Sequence, residues 1–256
     1  MKDPKQPDIN ELQPRLREIP EHRPAQNEIP EEHPGQPWRS ILFWGYILLA
    51  LAGSAALSLL AFRTPYLTFD PSITLALQSF SPGWFSTLMV ITSWPGYPPQ
   101  AAIIVAALVA LIIFMGYRWE ALMALISVMF SMVLNLGVKL IVHQPRPQPN
   151  LVHVVRKLSS YSYPSGHVMF FMGFYAFLWY LSYKVLKPSI LRTFLLLLFG
   201  AMVVLVGVSR IYLGEHWFSD VLGGYVLGSV VLLLMIRVYH WGKPKYFKRK
   251  GLGAKE

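Results

Sequence analysis

The sequence contains no cysteine among its 256 residues. This absence excludes disulfide bonds, thiolate nucleophiles and metal sites with cysteine ligands, although it does not constrain the compartment. Charged residues are also scarce, at 14% of the chain, whereas 54% of the residues are hydrophobic. That balance is too apolar for an ordinary soluble domain of this length. Several apolar runs reach the roughly 20 residues that a membrane-spanning helix needs, so we expect an integral membrane protein.

The two ends of the chain differ from the rest. Residues 1–37 contain no aromatic side chain and eight prolines, which prevent any long helix. We interpret them as a disordered, proline-rich cytoplasmic tail, and residues 242–256 as a short basic tail on the same side. Residues 38–241 are expected to form the membrane domain.

Six apolar runs predict six membrane spans. The runs are Ile41–Phe62, Ala101–Met115, Ala121–Val142, Ser165–Tyr183, Ile190–Val208 and Trp217–Tyr239. The region 63–100 is rich in proline and aromatic residues, which favours one or two short interfacial helices, with a seventh, broken span as the alternative. The predicted fold is therefore all-α: an integral membrane six-helix bundle with short interfacial helices after the first span.

The positive charges predict the orientation. With six spans, 17 of the 23 lysines and arginines fall on the side that holds both termini. Cytoplasmic segments carry such an excess, so we expect cytoplasmic termini and an outward-facing loop at 143–164. We assign the protein to the plasma membrane. The same rule accounts for the net charge of +10 without a nucleic-acid partner.

Ionisable side chains interrupt the apolar pattern before the sixth run. Arg210, His216 and Asp220 lie there, and such groups at membrane depth indicate function unless they pair or face water. If a helix begins near His216, Asp220 shares its face and can orient the ring of a nucleophile. Alone, His216 could equally cap a helix. Glu215 is expected at the rim, because neighbouring helical residues point in different directions.

A second cluster lies at the end of the third run. Lys139 is on the last helical turn, and prolines on both sides of Arg146 force an extended segment from which its side chain projects. Taken alone, Lys139 could reach the membrane interface and Arg146 could solvate the loop.

A third cluster opens the fourth run. Proline followed by Ser165 and Gly166 is typical of a helix start, where free N–H groups and the helix dipole favour an anion. His167 follows on the first turn, where it can transfer a proton. Alone, this pattern is only a capped helix.

Together the three clusters predict phosphoryl transfer. Cations and N–H groups would neutralise the phosphoryl oxygens, one histidine would attack, and the other would protonate the leaving oxygen. The motifs Lys-x6-Arg-Pro (Lys139–Pro147), Pro-Ser-Gly-His (Pro164–His167) and Ser-Arg-x5-His-x3-Asp (Ser209–Asp220) are complete and in order. On these motifs the region from about Ile41 to His240 resembles the type 2 phosphatidic acid phosphatase superfamily.

The resemblance implies a role for each motif residue. His216 would form a phosphohistidine, Asp220 would orient it, and His167 would protonate the leaving group. The remaining residues would hold the phosphoryl oxygens: Lys139, Arg146, Ser165, Gly166 and Arg210. No metal or other cofactor is implied. The resemblance also implies a site at the outer membrane face.

The expected substrate is a lipid phosphate or pyrophosphate in the bilayer. Polyprenyl pyrophosphate (undecaprenyl pyrophosphate among them), phosphatidylglycerol phosphate and phosphatidic acid are the candidates, and the sequence does not choose among them or fix an oligomeric state. Two alternatives stay open: phosphotransfer from the same phosphohistidine to a sugar or lipid hydroxyl, and a non-catalytic lipid-phosphate-binding protein. Vanadium-dependent haloperoxidases share the motifs but are soluble, which six apolar runs disfavour.

Overall fold

The computed structural model describes residues 37–246, which include the complete membrane domain expected from the sequence. The chain divides into the units 1–43 and 44–256. Within the first unit, only the opening turns of the first helix are described. The expected tails 1–36 and 247–256 lie outside the described residues, so the account below concerns residues 44–246.

The described residues contain helices and no strand. The helices are α1 (Pro37–Arg63), α2 (Asp70–Ser79), α3 (Gly83–Ser93), α4 (Pro98–Phe114), α5 (Arg118–Val142), α6 (Gly166–Phe171), α7 (Phe177–Val185), α8 (Ile190–Tyr212) and α9 (Phe218–Tyr246). A π-helical turn, Met172–Ala176, joins α6 and α7 into one span. The prediction of an all-α membrane protein is confirmed.

Among residues 37–246, five helical segments are long and apolar enough to cross a membrane, and a bent pair adds a sixth if it is counted as one span. The five are α1, α5, α6–α7, α8 and α9, and the pair is α3–α4, which bends by 66°. Tyr97 lies at the bend in an extended conformation because it precedes Pro98, whose ring disfavours helical geometry in the preceding residue. Two short helices, α2 and α3, follow the first span as expected, and α3 is also the first arm of this bent pair.

The α6–α7 span forms the centre of the bundle. Of its apolar window 72% is buried, against 22% for α1, so the other helices surround it. Close packing depends on Gly173, where a Cβ atom would lie 2.1 Å from the hydroxyl of Ser131 on α5. The phenylalanine, tyrosine and methionine side chains of this span fill the core.

Helix direction brings the three motifs to one end of the bundle. The end of α5, the start of α6, the end of α8 and the start of α9 meet there. At the opposite end the hydroxyl of Tyr239 on α9 donates to Oε1 of Glu120 on α5, at 3.0 Å. Trp44 of α1 also lies at that end, 5.4 Å beneath the guanidinium of Arg237. Helix α9 continues through Tyr246, past the expected domain end at 241.

Candidate active site

His216 and Asp220 are in contact, although not through the helical register expected. Helix α9 begins at Phe218, so His216 precedes the helix. Its Nδ1 still lies 3.3 Å from Oδ2 of Asp220. The same oxygen accepts the backbone N–H of Trp217 at 2.8 Å, so the carboxylate caps its own helix. The aspartate therefore fixes the ring of His216 and the start of α9 at once.

Ser162 is a member of this group that the motif comparison missed. Its hydroxyl donates to Oδ2 of Asp220 and lies 3.3 Å from Nδ1 of His216. All three side chains are buried. The serine lies two residues before Pro164. This closeness to the second motif was the one signal in the sequence that could have identified it as a site residue.

Arg146 faces the other nitrogen of His216. Its Nη1 lies 3.2 Å from Nε2 of His216 and donates to the backbone carbonyl of Glu215 at 2.6 Å, while its Nε donates to the carbonyl of Ser160 at 2.7 Å. Burial lowers the pKa of Arg146 to about 10, which leaves it charged at neutral pH. A guanidinium is thus fixed beside the atom that would attack.

Lys139 is buried at the end of α5 and holds the loop that carries the second motif. Its ammonium donates to the carbonyls of Tyr161 and Ser162, the latter at 2.9 Å. The alternative that Lys139 extends to the membrane interface is therefore wrong, because its side chain points into the protein. An ammonium has three donors, so one remains beyond these two carbonyls.

The second motif forms a helix start, as expected. Ser165 is the residue before the first turn of α6, and its backbone N–H donates to the carbonyl of Asp220 at 3.0 Å. Its buried hydroxyl has no hydrogen-bond partner among the described residues. The amide of Asn135 on α5 donates to the carbonyl of Pro164 at 3.0 Å. Backbone contacts to α5 and α9 therefore position the start of α6.

His167 is enclosed by the bend between α3 and α4. The ring of Tyr97 packs edge-on against it, with centroids 4.8 Å apart. A Cβ atom at Gly96 would lie 2.2 Å from Cδ2 of His167, so only glycine leaves room for this ring. The Nε2 atom is buried and finds no partner within the part of the chain that the structure describes.

Arg210 is fully buried and paired with Glu215. Its Nη2 contacts Oε2 of that carboxylate, and both side chains are inaccessible to solvent. The expectation that Glu215 lies at the rim is therefore wrong. The reason is that Glu215 lies in the turn before α9, not on a helix, so its side chain and that of His216 both point inward.

Most of the motif residues line a cavity of about 780 Å³. Lys139, Arg146, Gly166, His167 and His216 line it. The side chains of Arg210, Ser165 and Asp220 lie fully buried outside this lining. Beyond the polar residues the cavity continues along apolar side chains of α4, α5 and α6: Ala101, Ala102, Val105, Ala106, Val109, Leu125, Val128, Met129, Met132 and Phe170.

Burial and the positive charges around the cavity favour the neutral form of His216. Burial lowers its pKa well below the usual value of 6.5, and the positive charges of Arg146 and Lys139 lower it further. A neutral imidazole has one lone pair, and the contact of Nδ1 with Asp220 leaves that lone pair on Nε2. The arrangement can hold an anion beside an unprotonated nucleophile.

Comparison with known proteins identifies the class. The sequence profile described as the PAP2 superfamily matches residues 120–244. Phosphatidylglycerophosphatase B of Bacillus subtilis (strain 168) is 30% identical over 168 residues, which cover 65% of this chain and 81% of that protein. The chain belongs to the PAP2 superfamily, as its motifs predicted.

A second relative and two solved structures also resemble this chain. Undecaprenyl-diphosphatase of Sulfolobus acidocaldarius is 32% identical over 139 residues, 53% of this chain and 63% of that protein. The crystal structure of a transmembrane PAP2-type phosphatidylglycerolphosphate phosphatase from Bacillus subtilis has a TM-score of 0.63 at 24% identity, covering 77% of this chain and 98% of that one. Aquifex aeolicus LpxE has a TM-score of 0.53 at 18% identity, covering 67% and 96%. Both structures share the fold.

Proposed function

We propose that this protein is a membrane phosphatase that hydrolyses a lipid phosphate or pyrophosphate through a phosphohistidine on His216. The observation that carries the proposal is the shared cavity. Two histidines and two cations line one part of it, and an apolar groove between α4 and α5 continues from them. A phosphorylated headgroup joined to a hydrocarbon tail matches both parts.

The first chemical step is in-line displacement at phosphorus. Nε2 of His216 attacks, the P–N bond forms, and the P–O bond to the leaving group breaks. His167 supplies the proton that the leaving oxygen needs. Arg146, 3.2 Å from Nε2, binds the phosphoryl oxygens, as do Lys139, Ser165, Gly166 and Arg210.

The second step returns the enzyme to its starting state. Water attacks the phosphohistidine, with His167 accepting a proton from that water, and the P–N bond breaks to release inorganic phosphate. Asp220 stabilises the His216 ring whenever it carries positive charge, since its carboxylate lies 3.3 Å from Nδ1.

The groove supports a lipid substrate. Its α4 wall consists of alanine and valine, which leave space for a hydrocarbon chain beside the helix. The relatives are named for phosphatidylglycerophosphate and undecaprenyl diphosphate. Phosphatidylglycerol phosphate, polyprenyl pyrophosphate and phosphatidic acid are the substrates to be tested.

We further propose that the site faces outward from the plasma membrane. The start of α9 and the end of α5 lie at the site, whereas Trp44 and Arg237 lie at the other end. Helix ends and turns opposite the site also carry the described basic residues Arg118, Lys184, Lys187 and Arg192. Positive residues favour the cytoplasm.

The first test measures phosphate release by purified protein from these three lipids, with excess chelator present. We expect release by the wild type, none by His216→Ala, and unchanged release by His153→Ala, which changes an exposed histidine in the loop between α5 and α6. No release from any lipid by folded wild type would contradict the proposal. If phosphate then appeared on an added sugar or lipid hydroxyl, phosphotransfer would replace hydrolysis as the proposed reaction.

A second test concerns the groove. Ala102→Phe fills the groove, whereas Ala107→Phe adds the same ring on α4 outside the cavity lining. We expect Ala102→Phe to raise KM for a long-chain lipid phosphate and to leave a short-chain analogue unaffected. Equal effects of both variants on KM would show that the groove does not bind the lipid tail.

A further inference from the structure

We propose that Glu215 is an internal counter-ion that binds Arg210 in competition with the phosphoryl group, and so weakens the hold of the site on free phosphate. The inference rests on the proposed function, because it assumes that Arg210 binds phosphoryl oxygens. It assigns to Glu215 the role of a positioning residue that acts through Arg210.

The guanidinium of Arg210 is already largely occupied. Nη2 contacts the carboxylate of Glu215, and Nη1 donates to the hydroxyls of Ser93 at 2.7 Å and Tyr97 at 3.4 Å. Nε is buried and has no partner among the described residues. A guanidinium has five N–H donors, of which these three contacts use three. A phosphoryl group that approaches Arg210 therefore meets two N–H groups without a partner among the described residues, and it must share or displace the carboxylate to gain a third.

The protein holds Glu215 in this position from several directions. The Tyr97 hydroxyl donates to Oε1 at 2.8 Å, and Arg146 donates to the Glu215 carbonyl at 2.6 Å. The preceding Gly214 has φ +64°, and a Cβ atom there would lie 2.0 Å from the carbonyl of His153, so the turn requires glycine. The carboxylate is thus fixed on Arg210 by the same turn that presents His216.

A carboxylate and a phosphoryl group present similar oxygens to a guanidinium. Both are anions, and in a buried site their mutual repulsion is screened much less than in water. Glu215 therefore weakens the binding of every phosphoryl group to the site. A lipid substrate keeps the affinity of its tail in the groove, whereas free phosphate has no tail and dissociates after the reaction.

A purely structural ion pair makes the opposite prediction. Removing one partner of a buried pair destabilises the protein and damages the site around it. Loss of fold can weaken phosphate binding but cannot strengthen it. The sign of the change in affinity therefore distinguishes the two roles.

The experiment is a titration of folded, detergent-purified Glu215→Gln with inorganic phosphate by calorimetry. We expect binding at least about fivefold tighter than in the wild type, the lower end of common coupling between interacting sites. Glu120→Gln is the matched control, because it also removes a buried carboxylate that accepts a tyrosine hydroxyl, at the other end of the bundle. Its phosphate affinity should not change.

A double variant tests whether Glu215 acts through Arg210. In the Arg210→Gln background, Glu215→Gln should give a clearly smaller gain, because the guanidinium for which the two anions compete is gone and only their direct repulsion is relieved. A gain of the same size in that background would overturn the inference, as would unchanged or weaker binding by Glu215→Gln itself.

If Glu215→Gln does not fold, Tyr97→Phe provides the test. This variant removes the hydroxyl that donates to the Glu215 carboxylate and accepts from Nη1 of Arg210, so the carboxylate is held less firmly on the guanidinium. We expect a smaller gain in phosphate affinity, and no gain would contradict the inference. Binding is measured without lipid, whereas lipid phosphate release by the wild type tests the proposed function. The two can therefore fail separately.

Discussion

Asp70 and Ser219 join the short helix α2 to the first turn of α9. Oδ1 of Asp70 accepts the backbone N–H of Ser219 at 2.9 Å, and Oδ2 accepts its hydroxyl at 2.8 Å. Asp70 is fully buried. Ser219 lies beside Asp220 and near His216, so a residue outside all three motifs fixes the turn that carries the proposed nucleophile.

Asp70→Asn should destabilise the protein and slow the reaction. The amide replaces one acceptor with a donor that faces a donor of Ser219, and a hydrogen bond to a charged group contributes about 1.5–3 kcal/mol. Thermal unfolding and phosphate release measure the two effects. Ser219→Ala loses only the hydroxyl contact and should fall between the wild type and Asp70→Asn. Wild-type behaviour of Asp70→Asn would show that this contact does not hold the site.

Ser162→Ala should lower kcat roughly tenfold, which corresponds to about 1.4 kcal/mol, the net contribution of one hydrogen bond. Without the hydroxyl, Asp220 loses a donor and its alignment with Nδ1 of His216 becomes looser. Lipid binding should change little, because Ser162 does not line the cavity. The exposed neighbour in Ser159→Ala is the control. A change confined to KM would contradict this explanation.

Gly96→Ala should impair proton donation by His167. The new methyl group would overlap the ring, which must move away from the leaving oxygen. Hydrolysis of a lipid phosphate should therefore fall more than hydrolysis of p-nitrophenyl phosphate, whose leaving group needs little protonation. Gly53→Ala serves as the control because nothing lies within 4 Å of its added Cβ. An equal loss for both substrates would point to general damage.

His216 should remain neutral at mildly acidic pH. Its pKa lies below 6.5 because it is buried and faces the positive charges of Arg146 and Lys139, so protonation begins only as the pH falls below the usual range. Arg146→Gln removes the nearest of these charges and should raise the pKa. NMR titration of 15N-histidine-labelled protein, with His216→Ala for assignment, measures both values. A pKa at or above 6.5 in the wild type would contradict this prediction.

The helices and the motif residues could be predicted from the sequence because both depend on local patterns. Apolar runs predicted the spans, and the spacing from Ser209 to Asp220 predicted one site. The prediction that a helix starts near His216 was less accurate, since Asp220 caps α9 from within the first turn of that helix. That capping contact allows His216 to precede the helix and still reach the carboxylate.

The supporting residues could not be found in this way, because their partners are distant in sequence. Asp70 and Ser219 are 149 positions apart, and Tyr97 and Glu215 are 118 apart. Asp70 did carry one signal, as a charged residue among apolar neighbours, which is costly unless it has partners. Tyr97 carried none, since its segment contains many aromatic residues with no evident difference between them.

Helix α4 has consequences for how this protein could change its lipid. It has no fully buried side chain, yet its alanines and valines form one wall of the groove. The motif residues lie on α5, α6, α8 and α9 and in the loops beside them. If the groove holds the lipid tail, one wall of the tail site lies on a helix that carries no motif residue. Substitutions along α4 could retarget the enzyme to shorter, longer or branched lipids while the phosphoryl chemistry is inherited unchanged.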